Sequence, residues 1–101
     1  MKIESQGDRL IVSDIVELTA ANSGNFRDEV RLAIKPSTTV IEIDLSQTRF
    51  MDSSGLGALF ALYRATAQNK GTVLRLLNPI SEIQQLLELT QMQQLFEIVK
   101  P

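Results

Sequence analysis

The chain has 101 residues, 44% of them hydrophobic and 22% charged, which supplies one core of ordinary domain size and excludes a disordered polymer. Ten Lys and Arg against twelve Asp and Glu give a net charge of -2 with no basic cluster, so the electrostatic footprint of a nucleic-acid binder is missing. With neither Cys nor His, disulfides, thiolate chemistry, the usual zinc sites and the Ser-His-Asp triad are excluded, and no catalytic residue, metal ligand or cofactor is assigned. Glu4 and Asp8 interrupt the N-terminal segment where a signal peptide needs an apolar run, and no stretch reaches the roughly 18 apolar residues of a membrane span. The expectation is one domain over 1–101, cytoplasmic and not inserted in a membrane.

In chain order, residues 2–6 and 9–13 read as a β-hairpin around Gly7-Asp8. From Asn22 to Ile34, Phe26, Val30 and Ala33/Ile34 recur at helical spacing opposite Arg27, Asp28, Glu29 and Arg31, a solvated face, until Pro36-Ser37 stops the helix. Residues 39–45 alternate as a strand, with Ile41, Ile43 and Leu45 on one side and Val40, Glu42 and Asp44 on the other. A second helix over 54–68 carries Leu56, Leu59, Phe60 and Tyr63 as a core stripe beside small residues, and Lys70-Gly71 closes it.

Residues 72–77 are apolar on both faces, as an inner strand requires. Asn78-Pro79 reads as a cap followed by Pro at the first position of a third helix, whose core residues are Ile80, Ile83, Leu86 and Leu87. Thr90 to Gln94 is a connector, and Leu95 to Val99 forms a last strand at a sheet edge. The order ββαβαβαβ predicts an α/β fold, one mixed sheet with helices packed against it.

The segment FMDSSGLGAL, residues 50–59, enters the second helix through an acid, two hydroxyls and two glycines. Asp52 suits the helix cap and complements the positive end of the helix dipole. Ser53 and Ser54 then fall in the first turn, where backbone N–H groups point outward and an added anion is tolerated. Gly55 and Gly57 permit close packing of helix on sheet; no Lys follows, so this is not a phosphate-cradling P-loop.

In DLSQTRFMDSSGLGALFALYR, residues 44–64, the chain resembles the core signature of the STAS domain, and specifically that of the bacterial anti-sigma factor antagonists. Residues 78–98 resemble that family's final helix and strand, and 17–30 its first helix. The resemblance implies partner switching. The unmodified domain binds an anti-sigma factor that is also a serine kinase; phosphorylation by that partner breaks the complex, and a cognate phosphatase restores it. Carried onto this chain, Ser53 is the phosphorylated residue and Asp52, Ser53, Ser54, Gly55, Leu56 and Gly57 form the partner-binding segment, with ATP belonging to the partner. Two residues depart from the family pattern: Thr19 stands where members often carry Asp, and Gln91 where a Gly commonly follows the Thr. The rival readings are a stand-alone STAS subunit of a membrane transporter complex with no phosphorylation cycle and, from the residues alone, an enzyme using Ser53 or Ser54 as nucleophile, for which the chain has no His and the motif no Lys to act as base.

Overall fold

The structure, a computed structural model, describes residues 1–68 and 71–100. Strands β1 (Lys2–Gln6) and β2 (Arg9–Ser13) form the expected hairpin, with Gln6 opposite Arg9 and Gly7 in the left-handed region at φ 63°, where a residue without a Cβ turns the chain at least cost. A short strand β3 (Glu17–Leu18) precedes α1 (Ser23–Ala33), β4 (Val40–Asp44) and a second short strand β5 (Phe50–Met51). Helix α2 (Ser53–Ala67), β6 (Val73–Leu77), α3 (Ser81–Leu89), a 3-10 turn over Met92–Gln94 and β7 (Glu97–Val99) complete the chain.

The main sheet runs β1-β2-β4-β6-β7, with β1 antiparallel and the other neighbours parallel. Each crossover from β2 onward steps in the same direction, so right-handed connections place all three helices on one face. That face carries Leu10, Val12, Ile41, Ile43, Leu74 and Leu76, all buried in one cluster with Phe26, Val30, Leu59, Leu62, Ile83 and Leu87 of the helices. Because the parallel strands point one way, their last residues Ser13, Asp44, Leu77 and Val99 lie along one end of the sheet, and the start of β1 joins them there through the pair Lys2–Ser13.

Among the described residues no helix covers the opposite face. There Glu42 of β4 sits between Arg9 and Arg75, with Arg75 Nη1 3.7 Å from its Oε2, and Arg75 Nε donates to Glu97 Oε1 at 3.0 Å. The alternating charges account for a nearly buried carboxylate on the face read as polar, since burying such a charge is tolerated only when it is paired.

Three expectations change. The two strands β3 and β5 were absent from the expected order; they pair in parallel as a separate sheet, Glu17 with Phe50 and Leu18 with Met51. At two residues each they are too short to show a period of two. The third helix starts later than Asn78-Pro79 implies. Asn78 is left-handed at φ 54° and its N–H donates to Val99 O at 2.7 Å, serving the sheet, while Ile80 is the N-cap residue of α3. Phe60, assigned to the core, is 40% exposed: it lies on the flank of α2, stacked on Tyr63 with ring centroids 6.3 Å apart, while Leu56, Leu59 and Leu62 point inward. Of the stop at Lys70-Gly71, Lys70 lies outside the described residues, and Gly71 is left-handed at φ 87°.

Candidate functional site

The motif lies where β5 runs into α2. Thr48 fixes this junction from below: its Oγ1, fully buried, donates to Ile15 O at 2.6 Å, and the N–H of Arg49 donates to Val16 O at 2.9 Å. The connection from β4 is thereby pinned to the chain entering β3, and β5 is held beside it. Asp52 follows in an extended conformation (φ -111°, ψ -172°) and donates its own N–H to Leu18 O at 3.2 Å.

The Asp52 carboxylate caps α2 as its sequence position implies, Oδ1 accepting from the N–H groups of Ser54 at 2.9 Å and Gly55 at 3.1 Å. Its second oxygen does something the motif does not announce: Oδ2 accepts from Ala20 N–H at 3.1 Å. One side chain therefore joins the start of α2 to the turn that leads into α1. That turn is self-organised around Thr19, whose Oγ1 accepts from Ala21 N–H at 3.2 Å and whose N–H donates to Asn22 Oδ1 at 2.8 Å. Thr19 thus supplies locally the kind of side-chain acceptor that an Asp would offer at the same place.

Partial desolvation pushes the Asp52 carboxyl upward, but the N–H donors of Gly55, Ala20 and Ser54, with its own, outweigh it and hold the pKa below the ordinary value of 3.8. A carboxyl depressed in the folded state contributes stability that is full above its unfolded value and is lost as the pH falls through the folded one. The expected outcome for Asp52→Asn, followed by thermal unfolding from pH 7 down to pH 2, is a lower midpoint at neutral pH and a gap from wild type that closes below about pH 4. An equal gap at every pH would contradict the role given to the charge.

The structure divides the six motif residues. Ser53 and Gly57 are exposed, and Asp52 and Ser54 are half-buried. Gly55 and Leu56 are buried and face the protein interior, so they present no side chain to a partner. The reason lies in Gly55: a Cβ there would stand 2.3 Å from Leu18 O and 2.8 Å from both Leu18 Cβ and Met51 Cγ. A Cβ on Gly57 would meet nothing within 4 Å. The two glycines, alike in sequence, have different causes; the close packing expected of both holds for Gly55 alone.

On the strands that lead to Ser53 the exposed residues are apolar and of both charges, with Arg49 beside Phe50 and Glu17 opposite it. Phe50 is 61% exposed and Val16 65% exposed, and Glu17, the partner of Phe50 across the small sheet, is exposed too. Sequence reasoning missed Val16 and Phe50 because an isolated apolar residue near a short strand carries no periodic signal. A depression of about 270 Å3 beside β3 is lined by Asp14, Ile15, Val16, Glu17, Asn22 and Phe26 among others, and not by Ser53. Among the described residues no His, Cys, Asp and Glu side chains gather as a metal site, and no helix is long and apolar enough to cross a membrane.

A serine exposed on a helix terminus offers a surface for recognition and a hydroxyl for modification, and the one carboxylate of the motif, Asp52, is committed to the N–H groups of Ser54, Gly55 and Ala20. The same overall arrangement occurs in solved structures. A Thermotoga maritima protein classed provisionally as an anti-sigma factor antagonist superposes with a TM-score of 0.87 at 20% identity, over 99% of this chain and 86% of that one. The anti-sigma factor antagonist SpoIIAA in its unphosphorylated form superposes with a TM-score of 0.80 at 19% identity, over 98% of this chain and 87% of that one. At such identities the likeness is one of fold. The family model of the STAS domain matches residues 1–100, and this chain belongs to the STAS domain family.

Proposed function

We propose that the protein is an anti-sigma factor antagonist that docks a kinase-type anti-sigma factor through the surface around Ser53 and is released when that serine is phosphorylated. The observation that carries the reading is the division of the motif: its capping and packing residues are buried or bonded, and Ser53 is the hydroxyl left outward at the first position of α2. The likeness in fold to two proteins described as anti-sigma factor antagonists supports it.

In this mechanism the partner brings ATP. The Ser53 hydroxyl oxygen bonds to the γ-phosphorus, the bond to the β-phosphate oxygen breaks, ADP leaves, and the hydroxyl proton passes to a base of the kinase. The product carries about -1.5 to -2 charges and three acceptor oxygens where one hydroxyl stood. The helix N-terminus stabilises that anion within the chain. Phe50 and Val16 beside it, however, no longer dock without desolvating the phosphate, and the charge of Asp52 adds repulsion toward an acidic surface. A phosphatase hydrolyses the ester with water and restores the hydroxyl.

The test is a transfer assay with each purified serine-kinase anti-sigma factor encoded by the source organism, ATP and this chain. The expected product is one phosphate on Ser53, absent in Ser53→Ala. If none of the kinases modifies or binds the chain, and the chain cofractionates with membranes, the reading fails in favour of a transporter-associated STAS subunit.

A further inference from the structure

The outward face of α2 is a single stripe. Ser53, Gly57, Phe60 and Arg64 recur at intervals of four, three and four residues, which a helix places one above another, and all four are exposed. Beyond Phe60 the stripe meets the C-terminal half of α1 in a groove of about 280 Å3, lined by Arg31, Phe60, Ala61, Arg64, Ala65 and Gln68.

The groove differs from an ordinary solvated surface in two respects. Its wall includes the exposed ring of Phe60. Its cations are unpaired: Arg9, Arg27 and Arg75 each meet a carboxylate, whereas among the described residues Arg31 and Arg64, like Arg49 ahead of β5, have none within 4 Å. Each stands in the last turn of its helix, where the helix dipole favours a cation, but that accounts for each arginine separately and not for two on one groove in a chain of net charge -2. Gly57 sits between this groove and Ser53. An exposed helical glycine weakens its helix relative to alanine, and nothing inside the chain needs the missing Cβ, so the bare backbone leaves room for something approaching from outside.

We infer that the groove between α1 and α2 is the far half of the partner-docking surface and receives an acidic segment of the partner, with an Asp or Glu carboxylate between Arg31 and Arg64 and an apolar side chain against Phe60. The inference rests on the reading of Ser53 as the switch. The two halves act separately: eleven residues of helix put Arg64 roughly 16 Å from Ser53, farther than the Debye length of about 10 Å in 0.1 M salt. The groove therefore does not neutralise the phosphate. It contributes attraction and register toward an acidic partner, and the serine end decides whether the complex persists.

The experiment measures the dissociation constant of the full chain for the kinase that phosphorylates Ser53, by calorimetry at two salt concentrations, for wild type, Arg31→Glu, Arg64→Glu and the double variant. Each single reversal is expected to weaken binding about tenfold or more, with a shallower salt dependence than wild type. Thermal midpoints of these exposed variants are expected to fall by about 5 °C or less, the effect of a carboxylate in a last helical turn, so that each variant stays folded at the assay temperature. Equal affinities for wild type and the double variant, with wild-type binding measured, would overturn the groove assignment and leave the serine switch standing. Absence of wild-type binding to every kinase would overturn both. Sedimentation of the free chain supplies the other arm: self-association abolished by the double variant would assign the groove to a second copy of this chain and overturn the acidic partner.

Discussion

Gly55→Ala is expected to destabilise the isolated chain by about 2 kcal/mol or more, while Gly57→Ala, two residues along the same helix, stabilises it by about 0.5–1 kcal/mol. At Gly55 the added methyl would overlap a backbone carbonyl, that of Leu18, as well as Leu18 Cβ and Met51 Cγ. A carbonyl in a strand does not swing aside as a side-chain tip does. It is also the acceptor for Asp52 N–H, so relief of the clash loosens the cap and the β3–β5 pair together. The gain in helix propensity from Gly to Ala, about 1 kcal/mol, offsets only part of that. Since a domain of this size has about 5–15 kcal/mol in total, the loss will be plain as an earlier urea midpoint with an unchanged slope. Wild-type stability in Gly55→Ala would mean that α2 does not approach β3 as closely as described. At Gly57 the methyl enters open space, so only the propensity acts.

The second large effect concerns binding. Ser53→Asp is expected to weaken docking of the cognate kinase about a hundredfold, while Ser53→Ala binds like wild type and both variants unfold within about 0.5 kcal/mol of it. An acid at the first position of a helix is favourable to the free chain, so the loss arises in the complex. There the carboxylate must be desolvated against whatever covers Phe50 and Val16, beside an Asp52 that is already ionised. Calorimetric titration of the three proteins against the kinase checks this. The deficit of Ser53→Asp should shrink, but not vanish, at high salt, because screening reduces repulsion and leaves desolvation in place. Equal affinity for all three would remove Ser53 from the interface.

Much of the fold was legible because its signals are periodic and long. The hairpin, the apolar stripes of α1 and α3 and the alternation of β4 each announce themselves over several residues, and the structure places Phe26, Val30, Ile41, Ile43, Ile83 and Leu87 inside as expected. What was hidden depends on partners distant in sequence. Asn78 favours both caps and left-handed turns, and only the hydrogen bond that its N–H donates to Val99 O of β7 decides between them. Phe60 and Leu59 are adjacent letters in one stripe, and only the packing of α1 and the sheet decides which is covered. Asp52 was readable as a cap from three local residues, whereas its bond to Ala20 spans 32 positions and leaves no local trace. Gln91 is the converse case. Its departure from the family's Gly is visible in sequence, and the structure shows why a Gly suits the place, for Gln91 is left-handed at φ 58° in the turn after α3.

The one-way run of the parallel strands has a further consequence. Both the start of β1 and the end of β7 lie at the end of the sheet from which the chain passes through β5 into Ser53, and Met1 lines the depression that Val16 and Glu17 share. A domain tethered to either terminus would begin on the side of the molecule that carries the serine. Its effective concentration there would be set by the linker and not by diffusion. A covalent neighbour would thus compete with any free partner on unequal terms, and the same weak contact would act as a mask in a fusion and as a passing encounter in solution.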